Sequence, residues 1–223
     1  MSYTAVIFDL DGTLIDSAPS LCASLNLLLT ERGRRSLSTQ EVTQMIGEGA
    51  EMLVKRALAA VGDRSDWVPL TRRFLEIYSA QATAHIQPFH GAGALLRALG
   101  RQHHLALCTN KPERPTRLIL DQLSWTDHFD CIVGGDSLPR RKPDPLMVTH
   151  ILQTLQLPPT SAVLIGDSPA DAGAAQAAGV DFVAVSWGYS RQPLDTLCAV
   201  AVVDQMEQIA EILASGKDSA SGT

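Results

Sequence analysis

Asp9 and Asp11 stand two residues apart at the end of the apolar run AVIFDLDGTL, and Gly12 follows them. Residues two apart in an extended chain face the same way, and a glycine lets the backbone turn sharply just beyond. Two carboxylates then share one small space, where like charges repel unless a cation neutralises them or one holds a proton. Such a pair suits hard-metal binding and acid–base work. The plain alternative is an Asp-rich strand-to-helix turn, with Asp16 or Ser17 capping the next helix.

Three further apolar runs end on polar groups of complementary kinds. LALCTNKP closes on Thr109 and Asn110, a hydroxyl and an amide that can donate to an anionic oxygen or build a turn. RRKPDP fixes Lys142 between Arg141 and Pro143, as a charge-neutralising cation or part of a solvated basic loop. VLIGDSPAD ends on Gly166 and Asp167, with Asp171 four residues on. A helix starting near Ser168 turns both acids toward the first pair, or makes them a cap and a first-turn acid.

These residues need elements to hold them. The runs YTAVIF, LALCT, CIVGG, AVLIG and FVAVS alternate with amphipathic stretches, which predicts an α/β fold: a Rossmann-like parallel sheet covered by helices. Ligands of such sheets sit beyond the carboxyl ends of the strands, where the four polar groups fall. The alternation stops once. Residues 16–88 hold three helix-like segments and no strand, and so predict an inserted all-helical cap. Leu21, Leu25, Leu28 and Leu29 give its first segment one apolar face, and Gly33 and Gly62 are placed to end helices. The core then comprises 1–15 and 89–215. GKDSASGT, 216–223, has too little apolar content to order itself.

Composition excludes several classes. A net charge of −6 and a pI near 5.4 argue against a nucleic-acid or anionic-membrane surface. No apolar run reaches the roughly 18 residues of a membrane span, and the N-terminus lacks signal-peptide order, so a cytoplasmic location is expected. Cys22, Cys108, Cys131 and Cys198 are scattered, which predicts reduced thiols rather than a zinc site or disulfides.

DLDGT at 9–13, TN at 109–110, K at 142 and GDSPAD at 166–171 resemble, in order, the four motifs of the haloacid-dehalogenase-like phosphatases. The helical insertion resembles the cap of the phosphoglycolate-phosphatase and β-phosphoglucomutase group. The resemblance implies Asp9 as nucleophile, forming an aspartyl-phosphate, and Asp11 as the proton carrier. It implies Mg2+ held by Asp9, the backbone carbonyl of Asp11 and Asp167, with Asp171 orienting metal-bound water or Lys142. Gly12, Thr13, Thr109, Asn110 and Lys142 would surround the phosphoryl group. In MIGEGAEMLVKRAL, Gly49 ends a turn that can dip over the core, and Arg56 follows on a helix, suited to a substrate carboxylate. Trp187 stands where a smaller or tyrosyl residue is more usual. The expected substrate is a small phosphate monoester, foremost 2-phosphoglycolate. A sugar-phosphate phosphatase, a mutase and a non-catalytic phosphate sensor are the alternatives. The protein is expected as a monomer or homodimer.

Overall fold

A computed structural model describes residues 3–81, 84 and 86–215; the expected tail, 216–223, lies outside them. The chain runs through β1 (Ala5–Phe8) and β2 (Ile15–Asp16) into four helices: α1 (Ala18–Glu31), α2 (Thr39–Thr43), α3 (Ala50–Ala60) and α4 (Trp67–Gln81). It returns through β3 (Gln87–Pro88) and α5 (Ala92–Leu99) to β4 (His104–Cys108), α6 (Glu113–Gln122), β5 (Cys131–Val133) and α7 (Leu146–Leu155). The last elements are β6 (Ala162–Gly166), α8 (Pro169–Ala178), β7 (Asp181–Val185), β8 (Ala201–Val203) and α9 (Met206–Ser215).

Every residue of β1 is apolar and fully buried, as a strand covered on both faces by helices must be. It lies between β4 and β6 in a six-stranded sheet of order β5-β4-β1-β6-β7-β8, all parallel. The ends of β1, β4 and β6 therefore open side by side, and these carry Asp9, Thr109 and Asp167. Side chains on one face pack with Ile7, Leu164 and Met147. Those on the other face, Val6 and Phe8 among them, join a cluster that continues into the helical insertion through Leu21, Leu25 and Phe74.

The insertion departs from the sequence reading in two ways. Its middle segment is broken into α2 and α3 by Gly47 and Gly49, whose φ angles of +118° and +85° lie outside the helical region. Two short strands also flank it: Ile15 pairs antiparallel with Pro88, and Asp16 with Gln87. Leu21, Leu25, Leu28 and Leu29 are buried together, while Leu27 between them is exposed. Gly33 and Gly62 follow the caps of α1 and α3 with positive φ.

Candidate active site

Asp9 follows β1 directly, and its N–H still donates to the Ile165 carbonyl at 2.9 Å, so it keeps strand geometry one residue past the last rung. The chain then turns at Gly12, whose φ is +87°; a Cβ there would stand 2.7 Å from Asp167 Oδ2. Only glycine allows both the turn and the close approach of that acid. Thr13 is buried behind it and donates to Asp167 Oδ1 at 3.3 Å. Gly12 and Thr13 thus set the position of Asp167.

Lys142 joins the acids. Its buried ammonium donates to Asp9 Oδ1 at 2.8 Å, to Asp171 Oδ1 at 2.5 Å and to the Cys108 carbonyl at 2.5 Å. Burial alone would lower its pKa, but the charges of Asp171 and Asp9 hold it above the ordinary lysine value. The other oxygen of Asp171 accepts from the Ser168 N–H at 3.0 Å and hydroxyl at 2.6 Å, closing a capping box on α8. Helix capping and the orientation of Lys142 use one carboxylate oxygen each.

Burial pushes the Asp9 carboxyl up to about 7, against the pull of Lys142. Burial, then the charges of Asp171 and Asp9, push Asp167 well above the carboxylate range. Carboxylate oxygens of Asp9, Asp167 and Asp171 lie within 4.8 Å of one another. Three buried acids beside one lysine are short of positive charge, and an all-oxygen donor set fits a hard divalent cation. Asp171 therefore stands within the acidic cluster and bonds Lys142, one of the two partners expected for it, while the Asp11 carboxylate turns elsewhere.

Its partner is Lys111, which sequence reasoning passed over although it stands next to Asn110. The Lys111 ammonium lies 3.0 Å from both Asp11 oxygens and 4.6 Å from the centroid of the Tyr78 ring on α4. Only 5% of this residue is exposed. Burial would lower its pKa, but Asp11 and Tyr78 raise it above the ordinary value.

The remaining expected residues divide between site and cap contact. Thr109 is buried, and its hydroxyl oxygen accepts from the Lys111 N–H at 3.2 Å, leaving the hydroxyl proton for another partner. Asn110, expected to donate to the phosphoryl group, spends its side-chain amide on two carbonyls: Gly47 at 3.1 Å and Lys142 at 3.0 Å. It latches the cap turn to the core. Gly49 belongs to the same latch, since a Cβ on it would stand 3.2 Å from the Asn110 carbonyl. Arg141 pairs across the gap with Glu51 at 2.8 Å. Arg56 donates to the Met45 carbonyl at 3.1 Å and to Glu48, so its guanidinium is committed within the cap.

A second fixture comes from the loop after β7. Tyr189 N–H donates to Asp167 Oδ2 at 2.6 Å, and its hydroxyl accepts from Ser17 N at 2.8 Å and Ala18 N at 3.1 Å. Trp187 donates to the Thr13 carbonyl at 3.1 Å and tilts against Phe89. The loop thus grips both chain segments that lead into the insertion.

Between sheet and cap the space divides in two. An inner chamber of about 50 Å³ is lined by Asp9, Asp11, Thr109 and Lys111 below and by apolar side chains such as Leu53 and Phe74 above. An outer mouth of about 440 Å³ is lined by Asp167, Ser168, Arg56 and Arg191. Asp9 and Asp11 border both spaces.

With this geometry in view, the likeness to known proteins has a physical meaning. The chain is 44% identical to a phosphoglycolate phosphatase of Rhodospirillum rubrum over 94% of its own length and 90% of the relative's. A phosphoglycolate phosphatase of Cereibacter sphaeroides is 40% identical, over 93% of this chain and 96% of that one. A crystal structure from Haemophilus somnus, described as a predicted phosphoglycolate phosphatase, superposes with a TM-score of 0.90 at 28% identity, covering 95% and 98% of the two chains. The haloacid dehalogenase-like hydrolase family matches residues 6–185, from β1 to the end of β7 and so from the first acid past the last. The chain therefore belongs to the haloacid dehalogenase-like hydrolases.

Proposed function

We propose that this protein is a magnesium-dependent phosphatase of small phosphate monoesters, converting 2-phosphoglycolate to glycolate and phosphate through an aspartyl-phosphate. One observation carries the reading: the buried Asp9 carboxylate faces an inner chamber of about 50 Å³, room for about four water-sized groups. The carbons and carboxylate of glycolate match that room. The names of the relatives agree with this reading.

Asp9 attacks phosphorus while the bond to the leaving alkoxide breaks, so one difficult displacement becomes two easier ones. Asp11 delivers the proton to the leaving oxygen, then as a carboxylate takes one from the water that opens the acyl-phosphate. The Lys142 ammonium and the Thr109 hydroxyl meet the charge on the equatorial oxygens. Asp171 and the Cys108 carbonyl hold Lys142 in place for that work. Asp9, Asp167 and the backbone carbonyl of Asp11 would hold magnesium, which would supply positive charge to offset repulsion between carboxylate and phosphate. The cap excludes bulk water while the acyl-phosphate forms.

The test is phosphate release with magnesium from 2-phosphoglycolate, glucose 6-phosphate and β-glucose 1-phosphate, with 18O-labelled water in the medium. The expected result is the highest kcat/KM on phosphoglycolate and label in the released phosphate. A higher kcat/KM on either hexose phosphate, or isomerisation without phosphate release, overturns it.

A further inference from the structure

Lys111 stands on the substrate side of Asp11. Whatever leaving oxygen Asp11 protonates must lie within hydrogen-bond reach of its carboxyl group, and Lys111 already sits 3.0 Å from both oxygens of that group. The carbon chain attached to the leaving oxygen therefore starts beside the Lys111 ammonium. Among the described residues Lys111 is the only cation lining the inner chamber, whose far wall is apolar: Leu53, Phe74 and Leu75. The Tyr78 ring closes the same wall, 4.6 Å from the Lys111 ammonium. Arg56 lines the outer mouth instead, bonded to Glu48.

We propose that Lys111 is the specificity residue of this enzyme, binding the carboxylate of the substrate's leaving group in the inner chamber. The inference rests on the small-monoester reading above and names the group that reads the acid. The one ammonium in a chamber whose far wall is apolar rewards an anionic end and leaves an uncharged one without a partner.

The experiment compares kcat/KM for 2-phosphoglycolate and for propyl phosphate, its uncharged counterpart, in the magnesium-loaded wild type, Lys111→Met, Lys111→Gln and Arg56→Ala. Wild type is expected to prefer phosphoglycolate; if it does not, the phosphoglycolate reading fails and not merely this assignment. Given that preference, both Lys111 substitutions should reduce the ratio of the two constants by about 10- to 100-fold, and Arg56→Ala should preserve it. An equal loss on both substrates would overturn the assignment and leave Lys111 as a positioning residue for Asp11. Collapse of the ratio in Arg56→Ala alone would move recognition to the mouth. A measurement independent of folding variants uses the wild type with 15N-labelled lysine, of which the chain has four. 3-Phosphonopropionate should shift the Lys111 side-chain resonance and propylphosphonate should not; equal shifts with both overturn the proposal.

Discussion

The hydroxyl of Tyr189 donates to Asp16 Oδ1 across 2.6 Å, tying the loop after β7 to the strand that leads into the cap. The same hydroxyl accepts the first two N–H groups at the start of α1, while the backbone of Tyr189 holds Asp167. Tyr189→Phe removes the hydroxyl and spares the contact to Asp167. Loss of partners for buried polar groups costs about 1–3 kcal/mol. Thermal unfolding should therefore fall by several degrees, with magnesium affinity by calorimetry unchanged; an unaltered Tm would show that the strap carries no load.

Asp9→Asn should leave a folded protein with less than about 1% of wild-type turnover, because an amide is a far poorer nucleophile than a carboxylate and covalent groups account for several decades of rate. Circular dichroism checks the fold and phosphate release the activity. Turnover above that level assigns the nucleophile elsewhere.

The acidic cluster predicts a stability effect apart from catalysis. A ligand that binds only the folded state stabilises it by about 2.7 kcal/mol at a hundredfold excess over Kd. Magnesium should raise the Tm of wild type, and the rise should vanish in Asp167→Asn. A variant that keeps the full shift would remove Asp167 from the metal site.

Arg56→Ala should weaken the cap slightly and leave kcat/KM for phosphoglycolate within a few-fold of wild type, since partly exposed ion pairs contribute about 0.2–1 kcal/mol. Its partners are Glu48 and the Met45 carbonyl, both in the cap. A selective loss of more than tenfold on phosphoglycolate would return the residue to the substrate.

Asp63 should govern acid stability of the cap. Hydrogen bonds from Ser65, then Arg32 and Arg34, hold its carboxyl well below the usual carboxylate range. A carboxyl lowered in the folded state contributes stability above its unfolded value, near 3.8, and loses it as pH falls toward the folded one. The Tm difference between wild type and Asp63→Asn should thus be constant from pH 7 to about 5 and shrink below about 4. A difference that grows with acid contradicts the assignment.

The parts of this site that follow strand ends were legible in the sequence, because a parallel sheet gathers them at one edge whatever their separation along the chain. Asp9, Thr109 and Asp167 belong to that kind. Lys111 was not legible: its meaning lies in a contact with Asp11, 100 residues away, and in a tyrosine supplied by the cap. Trp187 was noticed only as a departure from the usual residue, and Tyr189 was not singled out, since an aromatic near a strand end reads equally as packing. Strand β8 escaped because its three residues form a half-exposed edge. The turn at Gly47–Gly49 was visible, whereas its grip on Asn110 required the two lobes to be seen in contact.

The short ladder at the root of the cap has an architectural consequence. Because Ile15 pairs with Pro88 and Asp16 with Gln87, the helical lobe leaves and rejoins the sheet domain at a single point. Seen from the sheet, the lobe is one long loop whose ends are already closed, and doubling the length of such a loop adds only about 0.6 kcal/mol of closure entropy. The root can therefore carry lobes of other sizes and shapes, provided that they remake the contacts of Tyr78 with Lys111 and of Gly47 with Asn110. The sheet domain keeps the acids and, through Lys111, a share in choosing the substrate, while the lobe is free to change at its own rate.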